Sequence, residues 1–248
     1  EPVAMVIAAD EATAELGVRA ISVEYEPLPF VIKPSEALAE GAPLLHPQLA
    51  SYAHMVEELY PEAGTNIASR YRIRKGDVNS AFSSCDVVTS ARFFLPPSDH
   101  LAMEVRCAEA AITADGTVII TTSSQSPYSV RQQLSDVFNI PSGKIRINVP
   151  FVGGGFGGKS SVVLEILAYI ASKKVGGKPV RLILPREQDM ATTPCRIGLE
   201  AEIKLGAKKD GTLLAAEITY LVDCGAYSDI APNMAKSIAA DCTGPYNI

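Results

Sequence analysis

Apolar and polar positions alternate along the chain in short blocks. Residues 3–8 form an apolar run and residues 21–25 alternate, so both predict strands. Between them, Asp10 is placed to cap a helix that runs to Arg19 or Ala20. Pro27 and Pro29 end the second strand, and Ser35 is expected to cap a short helix. Residues 40–65 carry Gly, Pro and His without a period and read as a connecting segment, with His46 and His54 on its surface. Residues 82–94 and 107–122 look like strands, the second folding back at Asp115–Gly116. Residues 127–138 have helical spacing with Pro127 in the first turn. Next come an apolar strand (145–152), a helix (161–175), a strand (179–184) and a hairpin of 196–205 with 213–222 about Asp210–Gly211. Without a strict βαβ repeat, this mixture predicts an α+β fold over a doubly wound sheet.

Hydrophobic residues make up 47% of the 248, enough for a substantial core. The net charge of −6 argues against a nucleic-acid surface, which needs clustered Lys and Arg. No apolar run approaches the ~20 residues of a membrane-spanning helix. Cys85, Cys107, Cys195, Cys224 and Cys242 show no C-x-x-C spacing. They read as free, mostly buried thiols of a reducing, cytoplasmic compartment, and imply no iron–sulfur cluster on this chain.

The candidate chemistry lies in GGGFGGKS, residues 153–160. Five glycines in this stretch leave bare backbone that can adopt positive φ and approach a ligand closely. Strand, glycine loop and helix together form a recurrent anion site, because the first helical N–H groups lack partners. Gly153, Gly158, Lys159 and Ser160 fit G-x-x-x-x-G-K-[ST], while Gly153, Gly155 and Gly158 fit G-x-G-x-x-G. A P-loop nucleotide hydrolase also needs a strand-end carboxylate for Mg²⁺, for which Asp223 is a candidate. That reading stays as the alternative. A dinucleotide fold needs an acidic residue after the second strand, and Glu187 lies past a Pro-Arg turn.

PFVGGGFGGK resembles the cofactor loop of the molybdenum hydroxylases, the xanthine dehydrogenase and aldehyde oxidase family. KGDVNSAFSSCDVV, DHLAMEVRCAEA, TTSSQSP, PVRLILPREQDM and DGTLLAAEITYLVDCGAYSD follow in that family's order, so the resemblance covers nearly the whole chain. It implies three segments: residues 1–40 as the end of a hammerhead-like α/β domain, 41–65 as a connection, and 66–248 as the first part of a molybdopterin-binding domain of mixed sheets and helices. It also implies a fragment of a larger subunit. The remainder would carry further pterin contacts and a glutamate base, and this part alone would hold no cofactor.

The same resemblance supplies the chemistry. Such enzymes insert a water-derived oxygen into a C–H bond of an aldehyde or N-heterocycle. Molybdenum is held by a pterin, here expected as the cytosine dinucleotide, and not by side chains. Iron–sulfur clusters and FAD would sit on other domains or subunits. Gly154, Gly155, Phe156, Gly157 and Gly158 would line the cofactor, with N–H groups around Phe156 and Gly157 holding an oxo ligand. Gln125 would donate to the apical oxo, and Phe156 and Ser160 would face the substrate. The plainer readings are a surface glutamine for Gln125 and a core aromatic for Phe156. Xanthine-type members carry a glutamate where this chain has Ser160, and an arginine near Ser237. Losing both argues for an aldehyde, an aromatic acid or another heterocycle over xanthine. Lys159 is expected as a solvated lysine at the helix start, or else facing a cofactor phosphate. Glu104 and Arg106 are expected to pair. His100 and Glu104 are four apart but lie in an irregular region unsuited to a metal pair.

Overall fold

The computed structural model describes residues 2–52, 59–227 and 229–248. In chain order its elements are α1 (Glu11–Arg19), α2 (Pro34–Ala37), α3 (Val78–Ser83), β1 (Val87–Leu95), β2 (Cys107–Ile112), β3 (Val118–Thr122) and α4 (Pro127–Phe138). They continue with β4 (Ile145–Asn148), α5 (Leu164–Lys174), β5 (Val180–Ile183), α6 (Arg186–Thr192), β6 (Gly198–Ala207), β7 (Leu213–Asp223) and α7 (Ala231–Asp241). The chain divides by contacts into two units, Glu1–Glu26 with Asp99–Arg196, and Pro27–Ser98 with Ile197–Ile248.

The first unit is built on a sheet ordered β4-β3-β2-β5. β3 and β4 are parallel and the other pairs antiparallel. Strand alternation sends Val118, Ile120 and Thr122 of β3 to the buried face, beside Ala108 and Ala110 of β2. Those alanines are small enough for α5 to lie close over β2. Leu164 and Ala168 of α5, and Val130 and Leu134 of α4, each four apart and so on one helix face, complete the core. The Phe138 and Tyr169 rings meet there at 4.6 Å.

The β2–β3 turn falls at Asp115–Gly116 as the sequence requires, with Gly116 at φ +81°. Asp115 accepts from the Thr113 and Thr117 hydroxyls, the Thr117 N–H and the Lys144 ammonium at 3.0 Å. The Thr113 hydroxyl first, then Lys144 and Thr117, hold this carboxyl well below the usual carboxylate range. A depressed folded-state pKa stabilises above the unfolded value and ceases to do so as pH falls through the folded value. Asp115→Asn should therefore lower the melting temperature at pH 7, and the gap to wild type should shrink as the pH is taken well below ~4. Melting curves at both pH values check this; a gap constant with pH would remove the carboxylate from the turn's stability.

Several expected elements differ. Residues 3–8 and 21–25 form no strands, because they join no ladder; Val6 instead packs on α1, where a Cβ on Gly17 would fall 2.7 Å from Val6 Cγ1. Asp10 caps α1 as expected, accepting from the Thr13 N–H at 2.9 Å. Ser35 does not cap α2: the N-cap position is Lys33, which makes no side-chain capping bond, and the Ser35 hydroxyl reaches Glu200. Residues 82–94 are not one strand. Asp77 accepts from the Asn79 and Ser80 N–H groups and starts α3, which runs through Phe82 before β1 begins.

The second unit carries the antiparallel sheet β1-β6-β7. β6 and β7 form the expected hairpin, with Gly211 at φ +90°. His46 is half-buried and its ring contacts the Ala226 carbonyl at 2.6 Å, whereas His54 lies outside the described residues. Ser237 is exposed on α7. Among the described residues there is no disulfide, Cys195 is exposed and the other four cysteines are half-buried. None of the described helices is long and apolar enough to cross a membrane.

Candidate functional site

β3 and β4 are parallel neighbours, so the segments that follow them emerge at one edge of the first unit's sheet. After β3 the chain passes through buried Ser123 and Ser124 to Gln125 and then into α4. After β4 it passes through Pro150 into the glycine loop. Loop and glutamine are thus brought together by topology, at the carboxyl ends of strands where open sheets bind ligands.

Gln125 is tied to the loop by three hydrogen bonds. Its N–H donates to the Lys159 carbonyl at 2.8 Å. Its Oε1 accepts from the N–H groups of Gly157 at 3.1 Å and Lys159 at 3.2 Å. Two donors on Oε1 fix which way the amide faces and leave the Nε2 donors to point elsewhere. The Gly157 N–H is consequently engaged by Gln125 and is not offered to a ligand. The Phe156 N–H has no hydrogen bond among the described residues.

The glycines are demanded by this arrangement. A Cβ on Gly155 would lie 2.3 Å from Gln125 Oε1, on Gly153 2.6 Å from Glu104 Cβ, and on Gly158 2.7 Å from His100 Nδ1. Gly154 and Gly157 sit at φ +96° and +95°, where a side chain is strained. Phe156 is itself at φ +54° and 75% exposed, so it is not a core aromatic. Non-glycine residues held at positive φ cluster at ligand sites.

α5 begins at Leu164, later than the expected start at Ser161. The loop closes on itself first, with the Gly158 N–H on Gly155 O at 2.8 Å and the Ser160 N–H on Gly157 O at 3.1 Å. Glu165, buried, then accepts from the Val163 N–H and the Thr122 hydroxyl.

The segment 100–106 grips the loop from its other side. Glu104 Oε2 accepts from the Gly153 N–H at 2.9 Å and the Lys159 ammonium at 2.5 Å. Lys159 is therefore a buried, paired lysine, neither a solvated one nor one aimed at a phosphate. This corrects the expected Glu104–Arg106 pair. Arg106 instead binds buried Asp189 at 2.8 Å, the Thr193 hydroxyl and the Gly158 carbonyl. Burial pushes the Glu104 carboxyl up, but the Lys159 ammonium and the Gly153 N–H outweigh it and hold the group below its ordinary value. The clamp is thus complete above the ordinary carboxylate pKa and is lost as pH falls through the folded one. Glu104 Oε2 is engaged by these two donors, and no group of three or more His, Cys, Asp or Glu side chains suited to a metal occurs among the described residues.

The structure brings Gln125, Gly154, Gly155, Phe156, Gly157, Gly158 and Ser160 to one place. The sequence carries no signal for the inward turn of Lys159, and for Asp189 none beyond the PREQDM segment that contains it. The P-loop reading finds no support here: its lysine is turned inward onto Glu104 and is not presented to a phosphate. A group with acceptor atoms and a flat face fits what remains: an amide donor with fixed orientation, a free backbone N–H and an exposed aromatic on bare backbone.

Residues 59–248 match the family model of the molybdopterin cofactor-binding domain. The xanthine dehydrogenase molybdenum-binding subunit of Escherichia coli O157:H7 is 31% identical over 227 residues, which is 92% of this chain and 28% of that protein. The solved quinoline 2-oxidoreductase of Pseudomonas putida 86 superposes with a TM-score of 0.76 at 30% identity, over 90% of this chain and 27% of that one. The aldehyde oxidoreductase of Desulfovibrio gigas gives 0.73 at 27% identity, over 87% and 22%. The chain thus spans under a third of each of these relatives. With the match covering most of its length, the chain belongs to the molybdopterin cofactor-binding domain family of the molybdenum hydroxylases.

Proposed function

We propose that this chain forms one wall of a molybdopterin site in an oxidoreductase that hydroxylates an aldehyde or an N-heterocycle. The observation that carries the reading is the orientation of Gln125, whose Oε1 is spent on the loop and whose Nε2 is free to donate. When bound, the molybdopterin supplies the two-electron oxidising centre and the site at which water-derived oxygen reaches the substrate carbon. The chain's own residues hold and orient. Gln125 Nε2 and the Phe156 N–H are preformed donors for acceptor atoms of the bound group, and they need no reorganisation during reaction. Gly154 to Gly158 let the group approach the backbone. Phe156 and Ser160 offer a neutral surface to substrate, which suits an aldehyde or heterocycle without a charged anchor and disfavours xanthine. The relatives act, by their names, on quinoline and aldehyde as well as xanthine, which supports the class without choosing within it.

The remainder of the reading rests on the family resemblance. It comprises the cytosine dinucleotide form of the pterin, a hammerhead-like role for residues 1–40, iron–sulfur and FAD partners, further polypeptide of the molybdenum subunit, and a cytoplasmic setting.

Gln125→Glu tests the assignment. The carboxylate keeps an acceptor for the Gly157 and Lys159 N–H groups but donates nothing. Turnover of the full gene product should fall about 10²–10³-fold, the cost of one lost preformed donor, with pterin content close to wild type. Wild-type turnover in this variant would remove Gln125 from the reaction.

A further inference from the structure

We propose that Glu104 is the positioning residue of the glycine loop, acting through Lys159 on Gln125. The proposal rests on the reading of the loop as the cofactor wall and assigns what gives that wall its shape. Gly153 and Lys159 are the two ends of the turn. One carboxylate oxygen, Glu104 Oε2, holds both, by the Gly153 N–H and by the Lys159 ammonium. The Glu104 N–H also donates to the Gly153 carbonyl at 3.1 Å, so that end is fixed at two points. The close approach explains Gly153, where any Cβ would collide with Glu104 Cβ. At the other end, Lys159 is 4% exposed, and Glu104 is its only ion-pair partner among the described residues.

Lys159 passes the constraint on. Its backbone makes two of the three hydrogen bonds that orient Gln125. Without the carboxylate, a buried ammonium is left uncompensated, and such a group is relieved by neutralising or by swinging to solvent. If Lys159 swings out, its N–H and C=O shift with it, and Gln125 loses the contacts that aim Nε2. Glu104 touches neither cofactor nor substrate in this account; it works wholly through the loop.

The test is amide hydrogen exchange by mass spectrometry on the full gene product prepared without cofactor. Peptides covering residues 151–162 are compared with core peptides from β3 and α4, in wild type, Glu104→Gln, Lys159→Met and the double variant. Glu104→Gln keeps the side-chain shape and loses the charge. Its loop exchange should rise by roughly tenfold or more, as expected when a hydrogen bond to a charged group is lost, while the core peptides stay at wild-type rates. The double variant should recover protection relative to Glu104→Gln, because no buried charge is then stranded. Loop exchange within twofold of wild type in Glu104→Gln, or equal acceleration of loop and core, overturns the proposal. Because the readout needs no cofactor, it is separable from the functional reading. A wild-type protein that never binds pterin sinks the function and leaves the exchange result to decide the clamp.

Discussion

Gly155→Ala is expected to strip the site of cofactor and turnover while the fold survives. Gly155 is not at positive φ, so alanine strains no backbone there. What alanine meets is Gln125: its Cβ would lie 2.3 Å from Oε1 and 2.6 Å from Cδ. Either the glutamine swings out and abandons the Gly157 and Lys159 N–H groups, or the loop backs away from the sheet edge. Displacements of about 1 Å in a positioned site cost about 10²-fold in rate. Gly143→Ala is the control, since its Cβ meets nothing within 4 Å and its φ is ordinary. Pterin content and turnover should both collapse in Gly155→Ala and hold in Gly143→Ala. A fully loaded, active Gly155→Ala protein would show that the contact between Gln125 and the loop is incidental.

Arg106→Met should produce the largest loss of stability of any single change near the site. The guanidinium is buried and satisfies Asp189, the Thr193 hydroxyl and the Gly158 carbonyl together. Its removal leaves buried Asp189 with only two long contacts, the Arg186 guanidinium and the residue-106 N–H, each at 3.4 Å, and leaves the Gly158 carbonyl without that donor. Breaking a buried pair from one side costs about 3–5 kcal/mol, because the remaining charge has lost its compensation. In a chain of this size each kcal/mol moves the melting temperature by about 2–4 °C. Adding Asp189→Leu to Arg106→Met should restore part of the loss, since no lone charge then remains. Denaturant unfolding measures both; a cost below about 1 kcal/mol for Arg106→Met would mean the pair is solvated and weak.

The two predictions mark where the sequence was readable and where it was not. Turns and hairpins were legible because their signals are local: Asp115–Gly116 and Asp210–Gly211 sit between apolar runs, and Pro127–Phe138 shows its period within one element. The glycine loop was legible as a place of close approach, since its glycines answer to neighbours that any Cβ would strike. The strands expected at 3–8 and 21–25 failed because a strand is made by its partner, and alternation alone supplies none. The partners of Lys159 and Arg106 were hidden for the same kind of reason. Glu104 lies 55 residues before Lys159, and Asp189 lies 83 after Arg106. Spacing suggested a pair between Glu104 and its close neighbour Arg106; instead Glu104 takes Gly153 and Lys159 of the loop, while Arg106 takes Asp189 and the Gly158 carbonyl. The late start of α5 followed from turns inside the loop that glycine permits and does not announce.

The most direct test of the central claim is the crystal structure of the full gene product loaded with cofactor. Pterin and molybdenum are expected against residues 154–158, with Gln125 Nε2 about 2.7–3.2 Å from an acceptor of the bound group and Lys159 still turned onto Glu104. A cofactor seated away from this loop, or Lys159 swung outward onto a phosphate with Gln125 facing solvent, would contradict that claim.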